Sequence, residues 1–196
     1  ATSMAEAVVP IDNSGNECFD IITWFDTRSM REAESIARTI GTDELYKITG
    51  LDPNPIFSLC KMLWVKNNHP EVYDKSVKWL QMTDYILYKL TGVMATDYTL
   101  ATRTLAFDVL GNTWSLEILD ELGVRSSLFP DVVESGTVIG SVSPEASSAT
   151  GIKVGTPVVM GGNDHPCAAL PAGVLNGRKI LESSGTAESI IHVSQK

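Results

Sequence analysis

The stretch 158–170, VVMGGNDHPCAAL, sets Asp164 and His165 side by side just after Gly161 and Gly162. A β-branched run stops at the glycines, and a segment opening with Pro166 follows. Open α/β sheets bind ligands at the carboxyl ends of their strands, where the chain leaves the sheet. A carboxylate placed there can orient a substrate hydroxyl and accept its proton, which makes Asp164 a candidate general base. The glycines then read as a tight turn that leaves room for a ligand. A second reading needs no ligand: Asp164 caps the helix that follows, with Pro166 in its first turn. The two roles are compatible. His165 is either a structural histidine or a polar contact to a substrate hydroxyl, and the Asp-His pair is not a nucleophile system, because adjacent side chains point apart.

Trp24, Asp26 and Arg28 alternate aromatic, acid and base within TWFDTR (23–28). Period two on a strand would put all three on one side. They then form either an edge-strand ion pair beside a half-buried Trp or a polyol pocket, with the ring as its floor and the charged pair binding hydroxyls. SSGT (183–186) gathers hydroxyls and, around Gly185 and Thr186, exposed backbone N–H groups. That chemistry suits a phosphate, and it is equally the composition of a hairpin turn. GxxxxGK[ST], GxGxxG, HExxH and a Cys/His metal set are all missing from the sequence, which removes support from a P-loop kinase, a Rossmann dehydrogenase and a zinc enzyme.

Elements must position these residues. CFDIITWFDTR (18–28) reads as a buried strand running into a polar turn. Ser29 and Glu32 fit a capping box. The helix they open has Met30, Ala33, Ile36, Ala37 and Ile40 on one face and Gly41 at its end. Helices are predicted over 55–65 and about 70–80, over DYILYKLTG capped by Thr83 and closed by Gly92, and over 114–123. The last third alternates: a strand in GTVIGSV, a helix with Ser143 as cap, Pro144 first and Gly151 as terminator, a strand in TPVVMGG, a helix from about His165 ending by Gly173, and two strands around SSGT. Strand and helix alternating through short turns predict an α/β sheet. Asn176-Gly177 is the best boundary, dividing 1–176 from 177–196.

A net charge of -9 argues against nucleic acid as a partner, since that binding relies on clustered Lys and Arg. Cys18, Cys60 and Cys167 are far apart and odd in number, and read as reduced thiols of a cytoplasmic protein. No apolar run approaches the ~20 residues needed to cross a bilayer, so no membrane partner is expected. The opening ATSMAEAVVPID reads as the middle of a longer chain.

These pieces, in this order, resemble the FGGY family of carbohydrate kinases, which includes xylulokinase, gluconokinase and glycerol kinase. The resemblance is carried by TWFDTRSMREA, SLCKMLWVKNNHPEVY, KWLQMTDYILYKLTGVMATDYTLATRTLAFDV, WSLEILDELGV, the long LFPDVV…NDHPCAAL stretch and ESSGTAESI, from about residue 18 to the end. The spacing Lys61–Trp64–Asn67–Asn68 also resembles a signature stretch of the family.

The resemblance implies an α/β fold: an actin- and hexokinase-like (ribonuclease H-like) lobe with a helix-rich insertion, truncated at both ends. It makes 1–176 most of the substrate-binding lobe and 177–196 the first strands of the ATP-binding lobe. Asp164 occupies the place of the general base that takes a proton from a sugar or polyol hydroxyl attacking the γ-phosphate of MgATP. Gly185 and Thr186 match a turn that contacts ATP phosphates, Trp24 a position lining the substrate pocket, and His165 a position whose side chain varies with substrate. ATP and Mg²⁺ are the implied cofactors, and an exposed sheet edge leaves room for a homodimer. Ile56 stands where glycerol-specific members carry Tyr, which makes glycerol a poorer fit than five-carbon ketoses and polyols. Family members are more than twice as long and open with an Asp-Gly-Thr phosphate loop, so the 196-residue chain is expected to be inactive alone. Two other readings stay open: a non-catalytic sugar-binding or regulatory relative, and a small hydrolytic or isomerising enzyme using Asp164 and His165. The latter lacks a nucleophile elbow.

Overall fold

Local signals give the helices of the last third and much of the first. Ser143 caps its helix by accepting from the Ala146 N–H at 3.1 Å, Pro144 fills the first position, and Gly151 closes it in the left-handed region. In this computed structural model residues 1–184 and 188–194 are described. The elements run β1 (Thr2–Ser3), β2 (Val8–Asp12), α1 (Met30–Ile40), α2 (Thr42–Thr49), α3 (Ser58–Asn68), α4 (Pro70–Lys75), β3 (Ser76–Gln81) and α5 (Met82–Thr91). Next come β4 (Ala95–Asp97), α6 (Tyr98–Ala101), β5 (Phe107–Asp108), β6 (Thr113–Trp114), α7 (Leu116–Glu121), a 3₁₀ turn (Ser126–Leu128) and β7 (Asp131–Val133). The chain then forms β8 (Val138–Ser141), α8 (Pro144–Thr150), β9 (Pro157–Val159), β10 (Gly162–Asn163), α9 (Asp164–Ala169), β11 (Ile180–Ser183) and β12 (Ser189–His192).

Strand pairing is short and mixed. β1 runs parallel to β10 and β4 parallel to β7, while β2–β3, β8–β9 and β11–β12 are antiparallel. The largest core surrounds α3, whose Leu59, Cys60, Met62 and Val65 meet Ile36 of α1, Leu45 of α2 and Ile118 and Leu119 of α7. A second core packs Leu87 of α5 against Ala146 of α8 with Val158 and Met160.

Several expectations change. The strand expected over 18–28 is a single bridge, Ile22 to Val8, followed by a turn in which the Asp26 N–H meets the Thr23 carbonyl at 3.2 Å. Ile22 and Phe19 reach apolar neighbours without a ladder, so an apolar run served packing alone. The Ser29–Glu32 capping box does not form: the Ser29 hydroxyl donates to the Pro55 carbonyl at 3.1 Å, and Glu32 accepts from Asn67 at 3.2 Å. The helix expected over about 70–80 stops at Lys75, and 76–81 becomes β3 because Leu80 and Trp79 pair with Val9 and Pro10. The helix expected from 55 starts at Ser58. Gln81 rather than Thr83 caps α5, in a reciprocal box with Asp84.

Burial pushes the Asp84 carboxyl well above its ordinary value, and the charge of Asp97 on β4 pushes the same way, against the Gln81 N–H and the nearby Thr96 hydroxyl. The folded chain thus holds a proton on Asp84 that the unfolded chain gives up above about pH 4. Stability tied to that proton is complete below the unfolded value and is lost as pH rises through the folded one. Asp84→Asn keeps an acceptor for Gln81 and is expected to remove this slope, leaving the chain at least as stable near neutral pH. Urea melts of both proteins across the acid-to-neutral range check it, and an unchanged slope would refute it.

Candidate functional site

Asp97, fully buried at the end of β4, is the anchor of the site. Its carboxylate caps α6 by accepting from the Leu100 N–H at 3.1 Å, and it accepts from the Thr99 hydroxyl at 2.9 and 3.0 Å and from Ser135 at 2.5 Å. Charge-assisted bonds of this kind hold both partners firmly. The Thr99 oxygen, its proton committed to Asp97, in turn accepts from the Asn163 N–H at 2.8 Å. Asn163 then caps α9, its side-chain oxygen accepting from the His165 N–H at 3.0 Å. So a chain of hydrogen bonds leads from a buried carboxylate to the first turn of the helix that carries Asp164.

The glycine pair serves this contact. A Cβ on Gly162, whose φ is +125°, would lie 2.5 Å from Thr99 Oγ1 and 2.8 Å from Asp97 Oδ2. One on Gly161 would collide with the Ala1 carbonyl of the neighbouring β1 segment. The space expected for a ligand is therefore occupied by the chain itself, because β10 must press against α6 and β1 to bring α9 into place. Asp164 is not the cap either. It is the first residue of α9, and among the described residues its carboxylate accepts only the adjacent His165 N–H, at 2.9 Å.

A cleft of about 800 Å³ opens in front of α9. Asp164, His165 and Trp24 line it, with Met4, Ala5 and Glu6 from the β1–β2 connection, Ile56, Thr99, Thr102 and Arg103. The opposite wall is the β11–β12 hairpin, through Ser183, Glu188, Ser189, Ile190 and Ile191. This size is ordinary for a small-molecule site. Asp26 and Arg28 are held together rather than to the cleft lining: Arg28 clamps Asp26 at 2.7 Å, and its guanidinium stacks over Trp64 at 4.9 Å. That clamp pulls the Asp26 carboxyl below and the Arg28 guanidinium above their ordinary ranges. The turn at 23–26 breaks the period-two register, so Trp24 separates from the charged pair. Gly185 and Thr186 lie outside the described residues.

Glu6 and Arg103 were not singled out from sequence. Glu6 takes a left-handed φ of 65°, a position rare for side chains larger than Gly. Three contacts hold it there: its N–H donates to Gln81 Oε1 at 2.8 Å, its carbonyl accepts from Lys61 Nζ at 3.0 Å, and its carboxylate accepts from Arg103 Nε at 2.6 Å. Arg103 also lies over the Phe57 ring at 5.0 Å. Lys61 is fully buried and bonds the Ile56 carbonyl as well. Burial pulls its ammonium down to about 8, against the nearby Glu6 charge. The one available signal was a lone acid in a run of small apolar residues, MAEAVV.

Comparison with known proteins follows the same lines. A model of the FGGY family of carbohydrate kinases, N-terminal domain, matches residues 1–171. Xylulose kinase of Bacillus subtilis (strain 168) is 33% identical over 189 residues, covering 96% of this chain and 38% of that protein. L-fuculokinase of Escherichia coli (strain K12) is 33% identical over 181 residues, covering 92% and 38%. The crystal structure of xylulose kinase from Rhodospirillum rubrum superposes with a TM-score of 0.91 at 27% identity, over 97% of this chain and 39% of that one. The chain spans about 38% of the length of the curated relatives it matches.

Proposed function

Because the chain belongs to the FGGY family of carbohydrate kinases, with the α/β, actin- and hexokinase-like fold of that family's first lobe, we propose that the protein transfers the γ-phosphoryl group of ATP to a hydroxyl of a sugar or polyol. Asp164 is the general base in this reading. The observation that carries it is an exposed carboxylate at the start of α9, lining a cleft and locked in place by Asn163, Thr99 and Asp97. A pentulose such as xylulose is the favoured substrate class, supported by the xylulose kinases among the relatives and by Ile56 on the cleft wall. Residues 1–176 form the substrate lobe and 177–196 begin the ATP lobe.

In this mechanism the sugar lies in the cleft with Trp24 as an apolar surface. His165 contacts a hydroxyl, and the Glu6–Arg103 pair offers further polar contacts. Asp26 and Arg28, read from the sequence as either an ion pair or part of a polyol pocket, bind each other, and act through Trp64 and the turn that carries Trp24. Asp164 orients the acceptor hydroxyl and takes its proton as that oxygen attacks. Positioning and charge neutralisation supply most of the rate in such transfers.

MgATP supplies the phosphoryl group and neutralises its charge. Its phosphates fit the hydroxyl-lined β11–β12 side of the cleft, beside Ser183 and Ser189. Among the described residues no cluster of three acidic, His or Cys side chains would hold Mg²⁺ by itself. The setting is cytoplasmic, and among the described residues no helix is long and apolar enough to cross a membrane.

Thermal-shift and ADP-release assays on the protein at the full length its gene encodes test the proposal, with a panel of pentuloses, polyols, gluconate and glycerol. A true ligand at a hundredfold excess over its Kd adds about 2.7 kcal/mol of stability. Xylulose or a close relative is expected to raise the melting point and release ADP. If every sugar leaves both unchanged, the proposal is wrong.

A further inference from the structure

Four buried polar atoms have no hydrogen-bond partner among the described residues and share one place: Ser58 Oγ, Trp79 Nε1, Asp84 Oδ1 and Thr96 Oγ1. Their residues are 2%, 4%, 1% and 1% exposed. They come from four elements, α3, β3, α5 and β4, and all line one small cavity that Val8, Met62 and Phe129 also border. Leaving even one such atom unsatisfied costs about 1–3 kcal/mol. Four together would cost a large share of an ordinary domain's stability. The cavity offers about 10 Å³ to the centre of a water-sized sphere, which is room for one water molecule and for nothing larger.

We propose that this cavity is a binding site for a single structural water, held between α3, β3, α5 and β4 and bridging Ser58, Trp79, Asp84 and Thr96.

The donor and acceptor inventory matches. The Trp79 indole can only donate. Asp84, whose carboxyl burial favours in its neutral form, has one O–H to give. A water takes both of these on its lone pairs and returns its two protons to the Ser58 and Thr96 hydroxyls. The Thr96 hydroxyl lies near the Asp84 carboxyl, yet neither Thr96 Oγ1 nor Asp84 Oδ1 meets a partner in hydrogen-bond geometry. The remaining Asp84 oxygen is already committed to the Gln81 N–H at 3.1 Å. The site also borders the cleft wall, because Gln81 lines this cavity and holds the Glu6 N–H on its other side. A water here ties α3, which carries Lys61, to β4, which ends in Asp97, and so braces both anchors of the cleft at once.

The test needs no sugar and no nucleotide, so it stands or falls apart from the proposed activity. A crystal structure of the unaltered chain, at a resolution where ordered water is visible, should show one peak in the cavity. It should lie about 2.6–3.2 Å from at least three of the four atoms. In solution, the Trp79 indole proton should show a cross-peak to a long-lived water. Trp79→Phe removes one donor and should lower the occupancy of the peak at least twofold. A cavity without density, the four groups paired directly with one another, or unchanged occupancy in Trp79→Phe would overturn the assignment.

Discussion

Asp164→Asn is expected to lower kcat for sugar phosphorylation by about a hundredfold to ten-thousandfold, the usual contribution of a positioned base, in the full-length protein. KM for the sugar should change little. The carboxamide keeps the shape and one oxygen of the side chain, so it can still meet a hydroxyl, but it cannot take the proton. Loss confined to kcat marks an interaction made in the transition state. The fold should not notice. The Asp164 carboxylate is exposed, and its one hydrogen bond among the described residues, to the His165 N–H at 2.9 Å, duplicates the one that Asn163 makes at 3.0 Å. Surface changes of this kind stay within about 0.5 kcal/mol. Steady-state kinetics beside urea melts separate the two effects. A fall in kcat below tenfold would remove Asp164 from the chemistry, and a matching fall in stability would recast it as structural.

Legibility followed sequence distance. Ser143, Pro144 and Gly151 decide α8 within one short run from cap to cap, so their types alone locate it. The end of α1 at Gly41 is equally local. By contrast SVKWLQ follows the helix α4 without punctuation, and only its partner VVPID, some 70 residues earlier, makes it a strand. Local propensity cannot see that pairing. The site divides the same way. Asp164 was legible because a strand, two glycines and a helix start fall within one short run. Glu6 meets Arg103 across 97 residues and Lys61 across 55, and neither partner carries a local mark. The capping box at Ser29 failed for a related reason: the motif was present, but a buried hydroxyl had a better acceptor at Pro55. The glycine pair shows how a correct location can come with a wrong cause. Its small size is needed for contacts with Thr99, Asp97 and the Ala1 carbonyl, while the cleft itself is lined by the next residues, Asn163, Asp164 and His165.

Gly162→Ala tests that cause, and the expected loss is about 2–6 kcal/mol. Two terms combine. A φ of +125° is one that side-chain-bearing residues rarely adopt, which costs about 1–3 kcal/mol. The added methyl would also press on Thr99 Oγ1 at 2.5 Å and Asp97 Oδ2 at 2.8 Å. Overpacking of this kind costs about 1–3 kcal/mol more. Neither neighbour can swing away cheaply, because Asp97 is fully buried and bonded to Thr99, Leu100 and Ser135. Total stability of an ordinary domain is only about 5–15 kcal/mol, so much of it is at stake. Gly151→Ala is the control: φ there is +76°, and nothing lies within 4 Å of the added carbon, so only backbone strain of about 1–2 kcal/mol is expected. The difference between the two variants in urea melts isolates the packing term. If Gly162→Ala costs no more than the control, β10 has slack against α6. The path from Asp97 through Thr99 and Asn163 would then no longer explain why Asp164 stands where it does.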